Sequence, residues 1–427
     1  MVDEKTWILT TCPGNLNQIV LGQKEFPMKP LSSSDRVDLF IDISWEQDGI
    51  KHQERYFADG LNCWRDVFPG SPMESLLKNK NAPSLSVEIK PGELVPAHDP
   101  NKVLFIPWSR LNRAEPDLFR PGRFYPQGLI SGQPGIFREN RNPFRCVEKD
   151  SKGIRADLNH PMAKIPLTLN MEVLSRSSKL EERGGACTDW MELALSGPGM
   201  QARCSGIPTD FFSGNSLDRR NPDPDPDFYR IHRFVPHIDA RASRNLSEIY
   251  AELLCPGARV LDLMAGWESH LPRDLDLSSV HGIGLNKNEL ESNPCLSSHH
   301  LQDLNENRDL DFEDQTFDAV ICSLSVEYLV HPFPIFKEAA RILKPGGVFA
   351  VTFSNRWFPE KAVRIWEDLH DFERMGMVKE YFLGSGKYES VSTQSRRGCP
   401  RPYQDRYYPR MRLSDPVYAV IGKTPGG

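Results

Sequence analysis

Apolar and polar positions alternate with two different periods along this chain, and the change comes near residue 228. Val37–Trp45 (VDLFIDISW) alternates at period two, Gln47–Asp48–Gly49 offers a turn, and Ile50–Tyr56 returns. Alternation puts successive side chains on opposite sheet faces, so this stretch predicts a β-hairpin. Ser84–Ile89 and Leu167–Leu174 predict further strands, and helical spacing is confined to about Met73–Lys78. The first part therefore reads as a small antiparallel α+β unit.

From Phe228 on, helix and strand take turns. Leu246, Ile249, Tyr250, Leu253 and Leu254 form one apolar helical face, which Pro256–Gly257 ends. Arg259–Met264, Val280–Leu285 and Phe317–Ser323 are short apolar runs of the kind buried on both faces. Phe336, Ala339, Ala340 and Leu343 mark the next helix, Lys344–Gly347 a turn, and Val348–Phe353 a strand. A helix starting at Pro359 and lined by Val363, Trp366 and Leu369 follows, then strands at Tyr388–Ser395 and Val417–Ile421. Such alternation predicts a parallel α/β sheet with helices on both faces.

Between the two parts, Asn221–Asp227 alternates Pro and Asp. With little to bury and fixed φ at each proline, it predicts an extended, solvated end to an interdomain linker. Within Glu181–Ser216, Thr188–Leu195 predicts a short helix capped by Thr188, with Trp190, Leu193 and Ala194 on one face. Phe211 and Phe212 imply packing on a domain.

The 427 residues exceed one ordinary core, which favours two or three domains. No run approaches the ~18 apolar residues of a membrane span, and MVDEKTWILT lacks a secretory pattern. Nine dispersed cysteines without a CxxC fit reduced thiols in a cytoplasm, with no metal site. A net charge of -6 argues against bulk nucleic-acid binding. Arg396–Arg412 stands out locally, with six arginines, three tyrosines and one aspartate. Arginine with interleaved aromatics suits an anion. Because the loop joins the last two strands, it is expected beside the cleft mouth or the N-terminal module, neutralised by acids of the other domain or of the Pro–Asp linker.

The C-terminal part resembles the class I S-adenosylmethionine-dependent methyltransferases over roughly 195 residues. The resemblance rests on Val260–Leu263 with a loop holding Gly266, on Asp303 in LQDLN, and on Phe317–Asp318 with Leu343–Gly347 and the next strand. It implies S-adenosylmethionine held by Asp262, Met264, Gly266, Gly284, Asn286, Asp303, Leu304 and Ser323. Two departures stand out. The family's three-glycine loop reads Met264–Ala265–Gly266–Trp267–Glu268, and its second-strand acid falls at Gly284, with Asn286 two residues on. Methyl transfer needs a base only when the acceptor carries a proton. Glu327 and Tyr328 are the catalytic candidates, with Glu268, His270 and His331 beside them. The methyl acceptor is left open as a small molecule or protein.

Asn159–Ala163 with Leu167–Val173 is similar to the closing segment of SlyD-like FKBP-type prolyl isomerases. Phe68–Gly70 with Met73–Leu77, Val87–Pro91 and Pro121–Phe124 follow in the family's order, with Leu169 where that family usually has phenylalanine. Together these readings imply an FKBP-like α+β antiparallel domain over 35–176, a linker over 177–227, and a doubly wound Rossmann-like methyltransferase domain over 228–423. The alternative is an isomerase or chaperone-like binding protein whose methyltransferase fold is inactive.

Overall fold

In the computed structural model, residues 31–78, 84–112, 116–178 and 184–426 are described; the N-terminal segment and Cys12 lie outside them. The N-terminal part opens with β1 (Asp35–Gln47) and β2 (Ile50–Asn62), paired antiparallel around a turn in which Asp48 and Gly49 take positive φ. Helix α1 (Pro72–Lys78) and β3 (Ser84–Ile89) follow. Strands β4 (Val103–Pro107), β5 (Phe124–Pro126), β6 (Pro143–Lys149) and β7 (Gly153–Asp157) form a separate four-stranded sheet, inserted before β8 (Leu167–Ser178) returns beside β1. The period of two is met: Val37, Leu39, Ile41 and Ile43 are buried with Leu167, Leu169 and Met171 against Met73 and Leu76 of α1.

Helix α2 (Trp190–Leu195) is capped by Asp189, which accepts from the Glu192 N–H, and not by Thr188. Its buried residues are Ala194 and Leu195, whereas Leu193 is exposed. Past it, Arg203 pairs with Glu380 and Lys379 Nζ donates to the Gln201 carbonyl at 2.8 Å. The segment after α2 thus lies across the C-terminal core.

The Pro–Asp stretch departs most from expectation. It folds into the short helix α3 (Asp225–Tyr229), and Asp225 is buried. Arg219 and Lys361 both reach its carboxylate, at 2.7 and 3.1 Å, and Asn305 Nδ2 donates to it at 2.9 Å. A buried carboxylate with two cations and an amide is stable where an isolated one is not. Composition showed a stiff polar run; the partners that bury it are distant in sequence.

Next come α4 (Ala240–Leu253), β9 (Arg259–Leu263), β10 (Ser279–Gly284), α5 (Lys287–Ser292), β11 (Ser298–Leu301), β12 (Phe317–Ser323), α6 (Pro332–Ile342) and β13 (Leu343–Ser354). The helix expected from Pro359 is only a 3-10 turn at Arg364–Asp368; α7 (Asp371–Ser385), β14 (Ser390–Arg397) and β15 (Val417–Lys423) complete the order. Along β9 and β12, successive residues serve opposite faces. Val260, Ala319 and Ile321 join the α4 core, while Leu261, Val320 and Cys322 join the core under α6 and α7. That is the doubly wound, Rossmann-like arrangement expected for the C-terminal region.

The sheet does not stop at that region. Its order is β11-β10-β9-β12-β13-β15-β14-β2-β1-β8-β3, so β14 pairs parallel with β2 and one sheet runs through both parts. The seam carries buried polar groups. His52 Nδ1 meets Thr393 Oγ1 at 2.8 Å, and Glu54 takes hydrogen bonds from Ser395 and from Gln201 Nε2. Burial pushes the Glu54 carboxyl up to about 8. Arg397 reaches the Ala194 and Ser196 carbonyls and stacks on Tyr56 and Phe372.

Candidate active site

Strand order 3-2-1-4-5 within β11-β10-β9-β12-β13 reverses direction between β9 and β12, and a cleft outside the carboxyl ends of such strands is the usual ligand site. A cleft of about 780 Å³ opens there, within the ~300–1,000 Å³ typical of small-molecule sites. One wall comes from the loops after β9 to β12: Met264, Gly266, Trp267, Gly284, Asn286, Asp303, Leu304 and Ser323 all line it. The other comes from Tyr328, the Asn355–Pro359 turn after β13, the β14–β15 loop at Gln404–Tyr407, and Arg233 with Val235–Asp239 before α4.

The loop after β9 explains how a sequence with one glycine makes the turn. Met264 holds φ 58, the left-handed region, and its carbonyl accepts from Ser325 Oγ at 3.4 Å. Such a conformation strains a non-glycine residue by ~1–2 kcal/mol. Gly266 keeps the one open approach: a Cβ there would meet only the Glu289 carboxylate, at 3.2 Å.

At the end of β10 the chain has no room for an acid. A Cβ on Gly284 would overlap the Ala265 carbonyl, because Ala265 N–H bonds the Ile283 carbonyl at 2.7 Å and draws the loop across. Asn286 is occupied instead as the cap of α5, and its Nδ2 donates to the Tyr229 and Arg230 carbonyls. The acid that does reach this wall is Glu289, one turn into α5, whose Oε1 accepts from the Arg233 N–H at 2.7 Å. Asp303 is half-buried, accepts from the Asn305 N–H, and is raised above the usual carboxylate range mainly by burial.

Three candidates, Asp262, Glu327 and His331, lie outside the cleft lining. Asp262 is buried beneath the loop with one carboxylate oxygen unpartnered; burial pushes it up to about 7, against a hydrogen bond from Ser269. Glu327 is buried too and pushed up to about 7 by desolvation. Its contact with the cleft runs through Tyr328, which hydrogen-bonds it and whose hydroxyl accepts from the Phe358 N–H at 3.0 Å. Tyr328 lines the cleft, but burial holds its phenol well above the usual range, so it does not ionise near neutrality. His331 stands at the start of α6, outside the cleft lining.

Glu268 and His270 do line the cleft. His270 Nδ1 meets Ser243 Oγ at 2.9 Å, and burial lowers the ring to about 4. His237, which sequence reasoning passed over, also lines it, edge-on to Phe358 at 5.9 Å. Although the residue is open to solvent, desolvation by the cleft wall lowers its pKa against the opposing Glu289 carboxylate, which favours the neutral imidazole, able to accept a proton. Arg233, Trp357 and Phe358 were likewise not singled out, whereas Tyr407 lay within the arginine-rich stretch that was. The alternation of aromatic and basic residues in Phe228–His237 was the available signal.

The arginine loop is where its connectivity placed it, with different partners from those expected. Arg401 is buried between Asp239, Asp405 and Asp415, and Arg396 bonds Glu248 and Glu252 of α4; the Pro–Asp acids take no part in these pairs. Arg356 pairs with Asp415 at 3.0 Å and stacks on Tyr407.

Residues 267–351 match the family model described as a methyltransferase domain. The C-terminal region carries a methyltransferase domain. Similar curated proteins include "Probable phthiotriol/phenolphthiotriol dimycocerosates methyltransferase 2" of Mycobacterium ulcerans, 35% identical over 102 residues, covering 22% of this chain and 38% of that protein. The sterol 24-C-methyltransferase erg6 of Schizosaccharomyces pombe is 30% identical, over 29% of this chain and 34% of its own. A fatty-acid O-methyltransferase of Mycolicibacterium smegmatis is 32% identical, over 26% and 41%. The chain thus spans well under half the length of these relatives. The methyltransferase domain's matched segment runs from the loop after β9 to the middle of β13, so it includes much of the first wall and none of the Trp357–Phe358 or arginine-loop wall.

Proposed function

We propose that this protein transfers a methyl group from S-adenosylmethionine to an acceptor held in the aromatic half of the cleft. The observation that carries this is the convergence of Gly266, Glu289, Asp303 and Leu304 on one wall at the switch point of the sheet. That wall fits the cofactor: Gly266 leaves its backbone accessible, and Glu289 and Asp303 offer carboxylates for hydroxyl and amino groups. Asp262 and Glu327, beneath the cleft, support its floor. When bound, the cofactor supplies an activated methyl on a sulfonium. The chain's part is to orient the acceptor, exclude water and move a proton.

Tyr328, Trp357 and Phe358 give the acceptor a planar apolar bed, and the Tyr328–Phe358 rings stack at 6.1 Å. His237, neutral and edge-on to Phe358, takes the proton of a hydroxyl or amine acceptor. The sterol and fatty-acid acceptors named for two relatives have the apolar bodies such a bed suits. Thermal unfolding tests the reading. Saturating S-adenosylhomocysteine raises Tm in the native chain, and Asp303→Ala reduces the rise. A Tm indifferent to the ligand overturns it.

For the segments 35–176, 177–227 and 228–423 we propose one working unit, since β14 and β2 pair across them. The FKBP-type resemblance gives a second role, a prolyl-binding cup on the sheet face under α1. Leu167, Leu169 and Met171 on that face are buried with almost no exposed surface, which favours a structural module instead. A proline-isomerisation assay on the full chain is expected to show no turnover above background.

A further inference from the structure

Among the described residues, fifteen large apolar side chains are exposed, and six of them belong to two short segments that also contribute to the cleft wall. Ile231, Phe234 and Val235 stand before α4, exposed at 68%, 45% and 47%. Tyr403, Met411 and Leu413 stand in the β14–β15 loop, at 77%, 37% and 54%. The first group is fixed to the loop after β9: Trp267 Nε1 donates to the Val235 carbonyl at 3.3 Å, and Phe234 meets Trp267 edge-on at 6.5 Å. The second is fixed to the turn after β13 through Arg356, which stacks on Tyr407 and reaches Met411 Sδ at 3.6 Å. These apolar tips therefore sit on ordered supports at the cleft mouth.

The charges on the same segments are one-sided. Arg230, Arg406, Arg410 and Arg412 are exposed, and none has a carboxylate within ion-pair distance among the described residues. Asp405, next to Arg406, is taken by Arg401, and Asp415, nearest in sequence to Arg412, by Arg401 and Arg356; Arg230 has the exposed Asp227 three residues away. The chain as a whole carries a charge of -6, so the three unpaired arginines of the β14–β15 loop are a local reversal of sign. Clustered exposed apolar groups mark an interaction site. Arginines flanking aliphatic tips fit an anionic bilayer, where the apolar groups enter the headgroup–acyl boundary and the guanidinium groups bind phosphates. RNA would be served by aromatic stacking surfaces; Phe234 and Tyr403 are aromatic, but the other four tips, Ile231, Val235, Met411 and Leu413, offer none.

We propose that the face around the cleft mouth docks on an anionic phospholipid surface. No helix among the described residues is long and apolar enough to cross a membrane, so the contact is peripheral. Docking of this face does not depend on the methyl-transfer reading. If both hold, the acceptor enters the cleft from the bilayer.

Flotation of the full chain with phosphatidylcholine vesicles, with and without phosphatidylserine, tests the proposal. The expected result is binding that requires phosphatidylserine and falls steeply as salt rises. Arg406→Glu with Arg410→Glu weakens it more than about tenfold, and Ile231→Ser with Phe234→Ser weakens it several-fold. All four positions are exposed, and circular dichroism confirms that the variants fold. Absent binding, binding indifferent to phosphatidylserine, or either double variant binding as tightly as the native chain overturns the proposal. So does tight, salt-sensitive retention of a short RNA without vesicle binding, which would assign the arginines to nucleic acid.

Discussion

Gly284 lies so close to Ala265 that any side chain at position 284 would overlap the Ala265 carbonyl oxygen. The departure from the family pattern at this point is thus a consequence of how the Met264–Trp267 loop crosses β10. Restoring the acid should not restore a ribose contact. Gly284→Asp is expected to destabilise the fold by ~1–3 kcal/mol through overpacking, without improving affinity for S-adenosylhomocysteine. Denaturant unfolding and ligand titration of the same variant check both halves.

Arg401 compensates Asp239 and Asp415, all three buried. Removing Arg401 leaves the buried Asp239 carboxylate without a cation and Asp415 with Arg356 alone. Arg401→Met is expected to cost ~3–5 kcal/mol and to loosen the cleft wall at Gln404–Tyr407. A loss below about 1 kcal/mol in urea unfolding would show that solvent reaches the cluster.

Glu54 sits in the seam between β2 and β14 with its carboxyl raised to about 8 from an ordinary value of 4.5, chiefly by burial. The folded chain therefore holds this proton where the unfolded chain has lost it. Stability from this group is complete below about pH 4.5 and falls as pH rises toward 8. Glu54→Gln should remove that slope and stabilise the chain at pH 8 relative to the native protein, by up to roughly 4 kcal/mol. Parallel stability–pH curves for the two proteins would place the Glu54 carboxyl near its ordinary value.

His237 should titrate below the ordinary histidine value of 6.5 because desolvation by the cleft wall outweighs the Glu289 carboxylate, even with the residue open to solvent. An NMR titration following its ring protons, assigned with His237→Gln, measures this directly. The same variant should bind S-adenosylhomocysteine as the native chain does, since the role given to His237 concerns the acceptor. A His237 pKa above 6.5 would remove the neutral base.

Much of this fold was legible because its signals are local. The β1–β2 hairpin, the α4 face and the β12–β13 unit were marked by strict periodicity or by a Pro–Gly turn. Helix α7 was not, because it lies inside the molecule: Phe372, Met375, Met377, Val378, Tyr381 and Phe382 are buried, but so are Glu373, Lys379 and Glu380. A helix without a solvent face shows no stripe, and Gly376 and Gly384 weaken its propensity further. The first wall of the cleft was readable from the strand ends. Of the second, only the arginine loop with Tyr407 was placed at the cleft; Arg233, His237 and Phe358 come from two separated segments that only the tertiary fold joins to it. The same holds for Asp225, whose partners Arg219, Asn305 and Lys361 lie up to 136 residues away, counting from 225 to 361.

The account stands most directly on whether the cofactor lies over Gly266. Calorimetric titration of the full chain with S-adenosylhomocysteine, beside Gly266→Val, tests it. The added Cβ would meet the end of Glu289 and no backbone, so the fold should survive while the branched side chain closes the approach to the loop. Saturable one-site binding in the native chain, lost in a folded Gly266→Val, is the predicted result; no binding in the native chain, or undiminished affinity in the variant, would contradict it.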